Sequence, residues 1–316
     1  MGILRDIIFD DLFLEADLEN SRIRGLAGSS ALLPVPDDLM EDIRRLFESV
    51  RVQFRNIPDA VEFSVPYDDV MYRVSVIRDI RATVFALRRG AVHVPPMVDC
   101  NIPPIIIDRL KTLSHGLVLF SGGFSTGKTT AASAFALEFS VAGSLVVTLE
   151  DPPELALSGD HGRGRILQIQ IDRGNIERAV EATMRMSFDM LFVSEIRTPA
   201  MASEVINASI NGKLIVSTIH ADSVVGSVMR LATLAGASQA GDRAGSGSNI
   251  MRGALSGGLA AIVHMVKCDD GTRRSEELLL CNQNVRSKLN AGEYSRVQED
   301  INQLKARISN GLPILG

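Results

Sequence analysis

Apolar and polar positions change rhythm several times along the chain, and each rhythm predicts an element. In "PDDLMEDIRRLFESVRVQF" apolar residues recur at Leu39, Ile43, Leu46, Phe47 and Val50. Spacings of three and four give a helix one apolar face, and Pro36 with Asp37 marks its start. In "VEFSVPYDDVMYRVSVIRD" the alternation is in twos, and "PYDD" interrupts it, which predicts two strands joined by a hairpin turn. Further on, "GLVLFSG", "SLVVTLE", "DMLFVSE" and "GKLIVSTIH" are short apolar runs separated by helical stretches. That pattern predicts a parallel sheet with helices on both faces, an α/β domain. Near the C-terminus Val297, Ile301, Leu304 and Ile308 recur at helical spacing and predict an amphipathic helix, for docking on the domain's own core or on a neighbour.

The predicted organisation is a small α+β domain over residues 1–94, a linker over 95–104, and the α/β domain with its C-terminal helical segment over 105–316. Pro95, Pro96, Pro103 and Pro104 stiffen the linker and are expected to keep it free of regular structure. "LATLAGASQAGDRAGSGSN", residues 231–249, is rich in Gly, Ser and Ala and predicts a mobile loop. No internal repeat is visible.

Composition narrows the classes of function. The chain has 316 residues, 46% of them hydrophobic, enough for two domains with substantial cores. The formal net charge of -5, the lack of tryptophan and an aromatic content of 5% argue against a nucleic-acid binder. Cys100, Cys268 and Cys281 lie far apart, without the spacing of a zinc site, and read as reduced thiols. The N-terminal "MGILRDIIFDDLFLEA" carries Asp6, Asp10, Asp11 and Glu15, which a secretory signal would not tolerate. No apolar run approaches the roughly 20 residues of a membrane span. A cytoplasmic protein that meets a membrane through partners is expected.

The most specific chemical signal is "SGGFSTGKTT", residues 121–130, which fits G-x-x-x-x-G-K-[ST]. Here Gly122, Gly123, Phe124, Ser125, Thr126 and Gly127 lead into Lys128, Thr129 and Thr130. Glycines let the backbone curl until successive N–H groups converge on a phosphate, the lysine supplies positive charge, and the threonine hydroxyl suits magnesium. A mere Gly/Ser turn imitates the pattern, but this one follows a buried strand and opens a helix, so that a helix N-terminus faces the anion.

Nucleotide hydrolysis also needs carboxylates and a group that senses the γ-phosphate. In a parallel sheet these belong at the C-terminal ends of strands. "SLVVTLE" ends in Glu150, "DMLFVSE" in Glu195 and "KLIVSTIH" in His220. One acidic strand end alone would read as a solvated turn or helix cap. Three polar strand ends following the phosphate loop read as a site. His93, His115, His161 and His264 have no comparable setting.

In order, the boxes "GGFSTGKTT", "VVTLEDPPE", "DMLFVSEIR" and "GKLIVSTIHADS" resemble the secretion or traffic ATPases of type II and type IV secretion systems and type IV pili, over about residues 60 to 230. The resemblance implies a RecA-like ATPase domain preceded by a PAS-like α+β domain, with ATP and Mg2+ as cofactors. It implies a homo-hexamer that works with inner-membrane secretion or pilus platform proteins. By the same resemblance Lys128 neutralises the phosphates, Thr129 with Glu150 and Glu195 serves the magnesium, Glu195 or Glu150 orients the water, and His220 reports phosphate loss. The family's spaced N-terminal arginines match Arg73, Arg81 and Arg88, of which Arg81 and Arg88 are favoured as phosphate or trans-acting contacts, and Arg185 matches an arginine before the third box. The chain departs from the family at Gly123, Phe124 and Ser125 in the loop and at Ser194 and Thr198 around the third box. Alternatives are a RecA-like nucleic-acid translocase and a ring subunit that binds nucleotide without hydrolysing it.

Overall fold

A computed structural model describes residues 4–171, 173–238 and 246–314. The chain divides into two compact units, one of Met1–Val94 with Asp151–Ala156, the other of Pro95–Glu150 with Leu157–Gly316.

The first unit is built on an antiparallel sheet. Its elements are β1 (Asp11–Leu14), β2 (Arg22–Arg24), β3 (Leu32–Pro34), α1 (Met40–Asn56), β4 (Glu62–Tyr67), β5 (Val70–Arg78) and β6 (Thr83–Arg89), with sheet order β3-β2-β1-β6-β5-β4. The apolar face of α1, Ile43, Leu46, Phe47 and Val50, is buried against Phe63, Val65, Val74, Phe85 and Leu87 of the sheet. Fully burying side chains of this size contributes about 1.5–3 kcal/mol each. The hairpin between β4 and β5 turns at Asp68 and Asp69, both left-handed (φ 49° and 62°). Two left-handed residues match the twist of the flanking strands, and aspartate tolerates that conformation. The segment 151–156 belongs to this unit: the Ser64 hydroxyl donates to the Pro153 carbonyl at 2.6 Å, and Arg73 pairs with Glu154 at 2.5 Å.

The second unit opens with a surprise for a proline-rich stretch. Met97–Cys100 form a 3-10 turn, and α2 (Pro104–Lys111) begins on the last proline. Proline at a first helical position gives up an N–H that the helix does not use. Buried Met97, Cys100 and Ile102 hold the stretch on the unit, and the Met97 N–H donates to Glu138 at 2.6 Å. Apolar side chains between the prolines therefore outweigh the stiffness expected to keep the segment irregular.

Next come β7 (Gly116–Gly122), α3 (Lys128–Val141), β8 (Leu145–Glu150), β9 (Gly159–His161), β10 (Gly164–Gln170), α4 (Ile176–Met184), β11 (Met190–Glu195), α5 (Pro199–Ser209) and β12 (Leu214–His220). They are followed by α6 (Val224–Ser238), α7 (Ser246–Gly258), β13 (Leu259–Lys267), β14 (Arg273–Leu280), α8 (Gln283–Ala291) and α9 (Val297–Ser309). The sheet order is β14-β13-β7-β12-β11-β8-β10-β9. The strands from β13 to β10 are parallel to their neighbours, and β14 and β9 close the two edges antiparallel. All four predicted strands are present at its centre.

The loop expected over 231–249 is different. Helix α6 runs through residue 238 and α7 starts at residue 246, while the remainder of that stretch, residues 239–245, lies outside the described residues. Buried Leu231 and Ala235 supply the apolar face that keeps α6 helical. The C-terminal helix α9 docks as expected, with Val297, Ile301 and Leu304 buried. Cys100, Cys268 and Cys281 are free, and burial pushes the Cys100 and Cys281 thiols up to about 11 and about 12. Among the described residues no helix is long and apolar enough to cross a membrane.

Candidate nucleotide-binding site

Because β7, β12, β11 and β8 are adjacent and parallel, their C-terminal ends share one edge of the sheet. That edge is where ligands bind in open parallel sheets, since the loops that leave it diverge.

The glycine-rich loop leaves β7 at Gly122. A Cβ there would collide with the Met265 carbonyl oxygen and the Thr126 hydroxyl, so only glycine fits. Ser125 and Gly127 are left-handed (φ 57° and 89°), and Gly127 is the residue on which α3 begins, with no side chain capping its first turn. The first N–H groups of α3 are therefore available to an anion, with the helix dipole favouring negative charge. Lys128, the first residue of α3, is only 8% exposed, and its ammonium donates to the Gly123 carbonyl at 3.1 Å. The Thr126 hydroxyl donates to the same carbonyl, also at 3.1 Å. Thr129 and Thr130 follow in the first turn, half-buried. Phe124 stands at the loop's outer surface, 87% exposed.

The three polar strand ends lie along the same edge of the sheet, β12 beside the loop's strand and β11 and β8 beyond it. His220 lies in register with Gly122, and its ring sits 4.5 Å, centroid to centroid, from that of Phe124. Its Nδ1 is buried with no hydrogen-bond partner. A buried nitrogen left unsatisfied carries a cost that a hydrogen-bonding ligand would remove. Glu195 is reached through an irregularity that brings it opposite Thr218, and it pairs with Arg197 at 2.7 Å. Ser194, where the family resemblance implied glycine, offers its carbonyl to the Thr218 hydroxyl at 2.9 Å. Glu150 is 2% exposed, and its Oε1 accepts from the Thr148 hydroxyl at 2.7 Å and from Gln168 at 2.8 Å.

These residues fit a magnesium–nucleotide complex. Magnesium bound with a nucleotide takes one or two protein oxygens alongside phosphate oxygens, and the Thr129 hydroxyl with carboxylates at the same edge offers that donor set. Among the described residues no group of three or more His, Cys, Asp or Glu could hold a metal without a nucleotide.

The arginines expected to reach phosphate lie in the first unit. Arg88, on β6, pairs with Asp11 at 3.1 Å and is largely exposed, and Arg81 is an exposed residue of the β5–β6 turn. Arg73 is committed to Glu154, and Arg185 pairs with Glu181 one helical turn back.

Two residues of this edge escape a reading of the sequence. His264, on β13 opposite Ser121, is buried, and its Nδ1 lies 3.0 Å from the Ser121 hydroxyl. Burial pushes its imidazole below the ordinary range, against the opposing pull of Glu277, Glu276 and Asp222. Arg273, the first residue of β14, donates from Nε to the Ser125 carbonyl at 2.8 Å. The apolar run "LAAIVHMV" and the Asp270–Gly271 turn after it carry the signal of a further hairpin. That hairpin brings both residues to the phosphate loop.

Comparison with known proteins agrees with the fold. The putative type II secretion system protein E of Escherichia coli (strain K12) is 33% identical over 128 residues, which cover 40% of this chain and 25% of that protein. The type II secretion system protein HxcR of Pseudomonas aeruginosa is also 33% identical over 128 residues, covering 40% of this chain and 26% of its own length. The match thus spans about a quarter of these curated relatives. Among solved structures, the pilus retraction motor PilT with bound ADP superposes with a TM-score of 0.72 at 19% identity, covering 100% of this chain and 95% of that one. The ATPase DotB of Legionella pneumophila superposes with a TM-score of 0.68 at 17% identity, covering 92% and 84%. At such identities the likeness establishes the RecA-like traffic-ATPase fold. The family described as type II/IV secretion system protein matches residues 105–307, well over half of the chain, and the chain belongs to that family.

Proposed function

We propose that this chain is an ATP-hydrolysing motor subunit that powers a type IV secretion system or a type IV pilus, in assembly, retraction or export, with ATP and Mg2+ as its cofactors. The observation that carries the reading is the single sheet edge where the phosphate loop, Lys128, Glu150, Glu195 and the unsatisfied Nδ1 of His220 come together. The family and the pilus retraction motor among the structural neighbours support it.

In this reading the loop backbone and the α3 N-terminus cradle the phosphates, and Lys128 leaves the Gly123 carbonyl to neutralise their charge. A bound magnesium would supply Lewis-acid stabilisation of phosphate charge, held through Thr129 with Glu150 and Glu195 as its carboxylate partners. Glu195, 24% exposed at its side chain, is the carboxylate that orients the attacking water, because Glu150 is buried and already engaged by Thr148 and Gln168. His220 bonds the γ-phosphate and reports its loss. Arg81 and Arg88 supply phosphate contacts in an assembled homo-hexamer, where Arg88 exchanges Asp11 for phosphate. Motion between the two units is the mechanical output, delivered to inner-membrane platform proteins on the cytoplasmic face.

The test separates binding from chemistry. Lys128→Ala should lose phosphate release and weaken Mg-ATP binding, while Glu195→Gln should keep ATP bound and slow release by about 100-fold or more. Wild-type turnover in Lys128→Ala would sink the site assignment. Unchanged turnover in Glu195→Gln, with loss in Glu150→Gln, would exchange the roles of the two glutamates.

A further inference from the structure

We propose that Arg273 is a positioning residue of the phosphate cradle, one that fixes the loop backbone so that its N–H groups converge on the phosphates. This rests on the nucleotide-binding reading above and adds to it a residue from the edge strand β14. The Arg273 Nε donates to the Ser125 carbonyl at 2.8 Å, and its Cδ lies 3.0 Å from where a Cβ on Gly127 would stand. The side chain therefore runs along the turn from Ser125 to Gly127, where Ser125, unlike the glycine, holds a left-handed conformation (φ 57°) at a cost that an external contact can offset.

In a trans peptide the carbonyl and the next N–H point opposite ways. Drawing the Ser125 carbonyl towards Arg273 consequently aims the Thr126 N–H away from it. The bond is charge-assisted, and the planar guanidinium fixes its direction, which the freely rotating ammonium of a lysine does not reproduce.

Arg273 is itself held. It pairs with Lys267 in the β13–β14 hairpin, and its carbonyl accepts from the Asn101 side chain at 2.8 Å. The Asn101 carbonyl in turn accepts from the Ser275 N–H and hydroxyl, each at 3.2 Å. Asn101 closes the 3-10 turn of the proline-rich stretch, so the same arginine that grips the phosphate loop is pinned to that stretch. Arg274, next in the strand, is exposed and projects to the opposite face, which makes it the natural control.

The experiment measures Mg-ATP affinity and steady-state phosphate release for the full chain and its Arg273→Ala, Arg273→Gln and Arg274→Ala variants, with thermal unfolding alongside. Arg273→Ala should raise Kd and KM about five- to tenfold with a smaller change in kcat, as expected for losing one charge-assisted hydrogen bond at an exposed position. Arg273→Gln should fall between it and the wild type, and Arg274→Ala should match the wild type. Unchanged Kd and KM in Arg273→Ala would overturn the assignment, as would an equal loss in Arg274→Ala. If Arg273→Ala does not fold, Arg273→Gln decides by the same comparison. A wild-type chain that binds no Mg-ATP would overturn the nucleotide reading and this assignment with it, whereas wild-type binding with unaltered Arg273 variants overturns this assignment alone.

Discussion

Glu150 and Glu195 end neighbouring strands, yet their surroundings differ. Glu150 is locked by Thr148 and Gln168 in the interior, while Glu195 keeps partial solvent access beside Arg197. The sequence identifies both carboxylates but not this difference, because Thr148 lies two residues away while Gln168 comes from β10, a strand whose polar interleaving hides it. His264 was illegible for a similar reason: its partners Ser121 and Asp222 come from other strands and loops. Its imidazole is depressed mainly by burial, so folding favours the neutral ring. A group whose folded value lies below its ordinary 6.5 contributes stability that is complete above that pH and is lost as pH falls through the folded value. Thermal unfolding followed from pH 8 to pH 5 should show the wild type losing more stability than His264→Gln. Parallel pH profiles would remove His264 as the cause.

At the scale of elements, legibility followed local patterning. Helix α1, the β4–β5 hairpin, the four central strands of the large sheet and α9 each carry a period that one stretch of chain displays alone. Strands β1 to β3 are three or four residues long, too short for a period, and β10 buries only part of its length. The Gly/Ser/Ala-rich stretch misled because small residues signal a turn only when no buried face compels a helix; Leu231 and Ala235 supply one. The proline-rich stretch misled in the same way, since Met97 and Cys100 bury between the prolines. Helix α9 gives the element-scale prediction. Ile301 is almost wholly buried in the core of the second unit, so Ile301→Ala should cost about 2–4 kcal/mol in urea unfolding. A loss below about 0.5 kcal/mol, the range of surface substitutions, would mean that α9 is not docked there.

For the whole molecule, two units with their own cores are interleaved in sequence, because residues 151–156 follow Glu150 directly yet count with the first unit. The family match begins at residue 105, so the α+β character of the first unit rests on its own periodicities and its antiparallel sheet. The second unit was legible on two levels, the strand pattern and the four ordered boxes. Assembly is not legible in this way, since a single chain's periodicity reports only its own core.

The most direct test of the account is Mg-ATP-dependent phosphate release by the purified chain, measured across protein concentration with molar mass recorded by light scattering. The account predicts specific turnover that rises as chains associate towards a hexamer and that added single-stranded DNA leaves unchanged. Release no greater than that of Lys128→Ala at every concentration would contradict it.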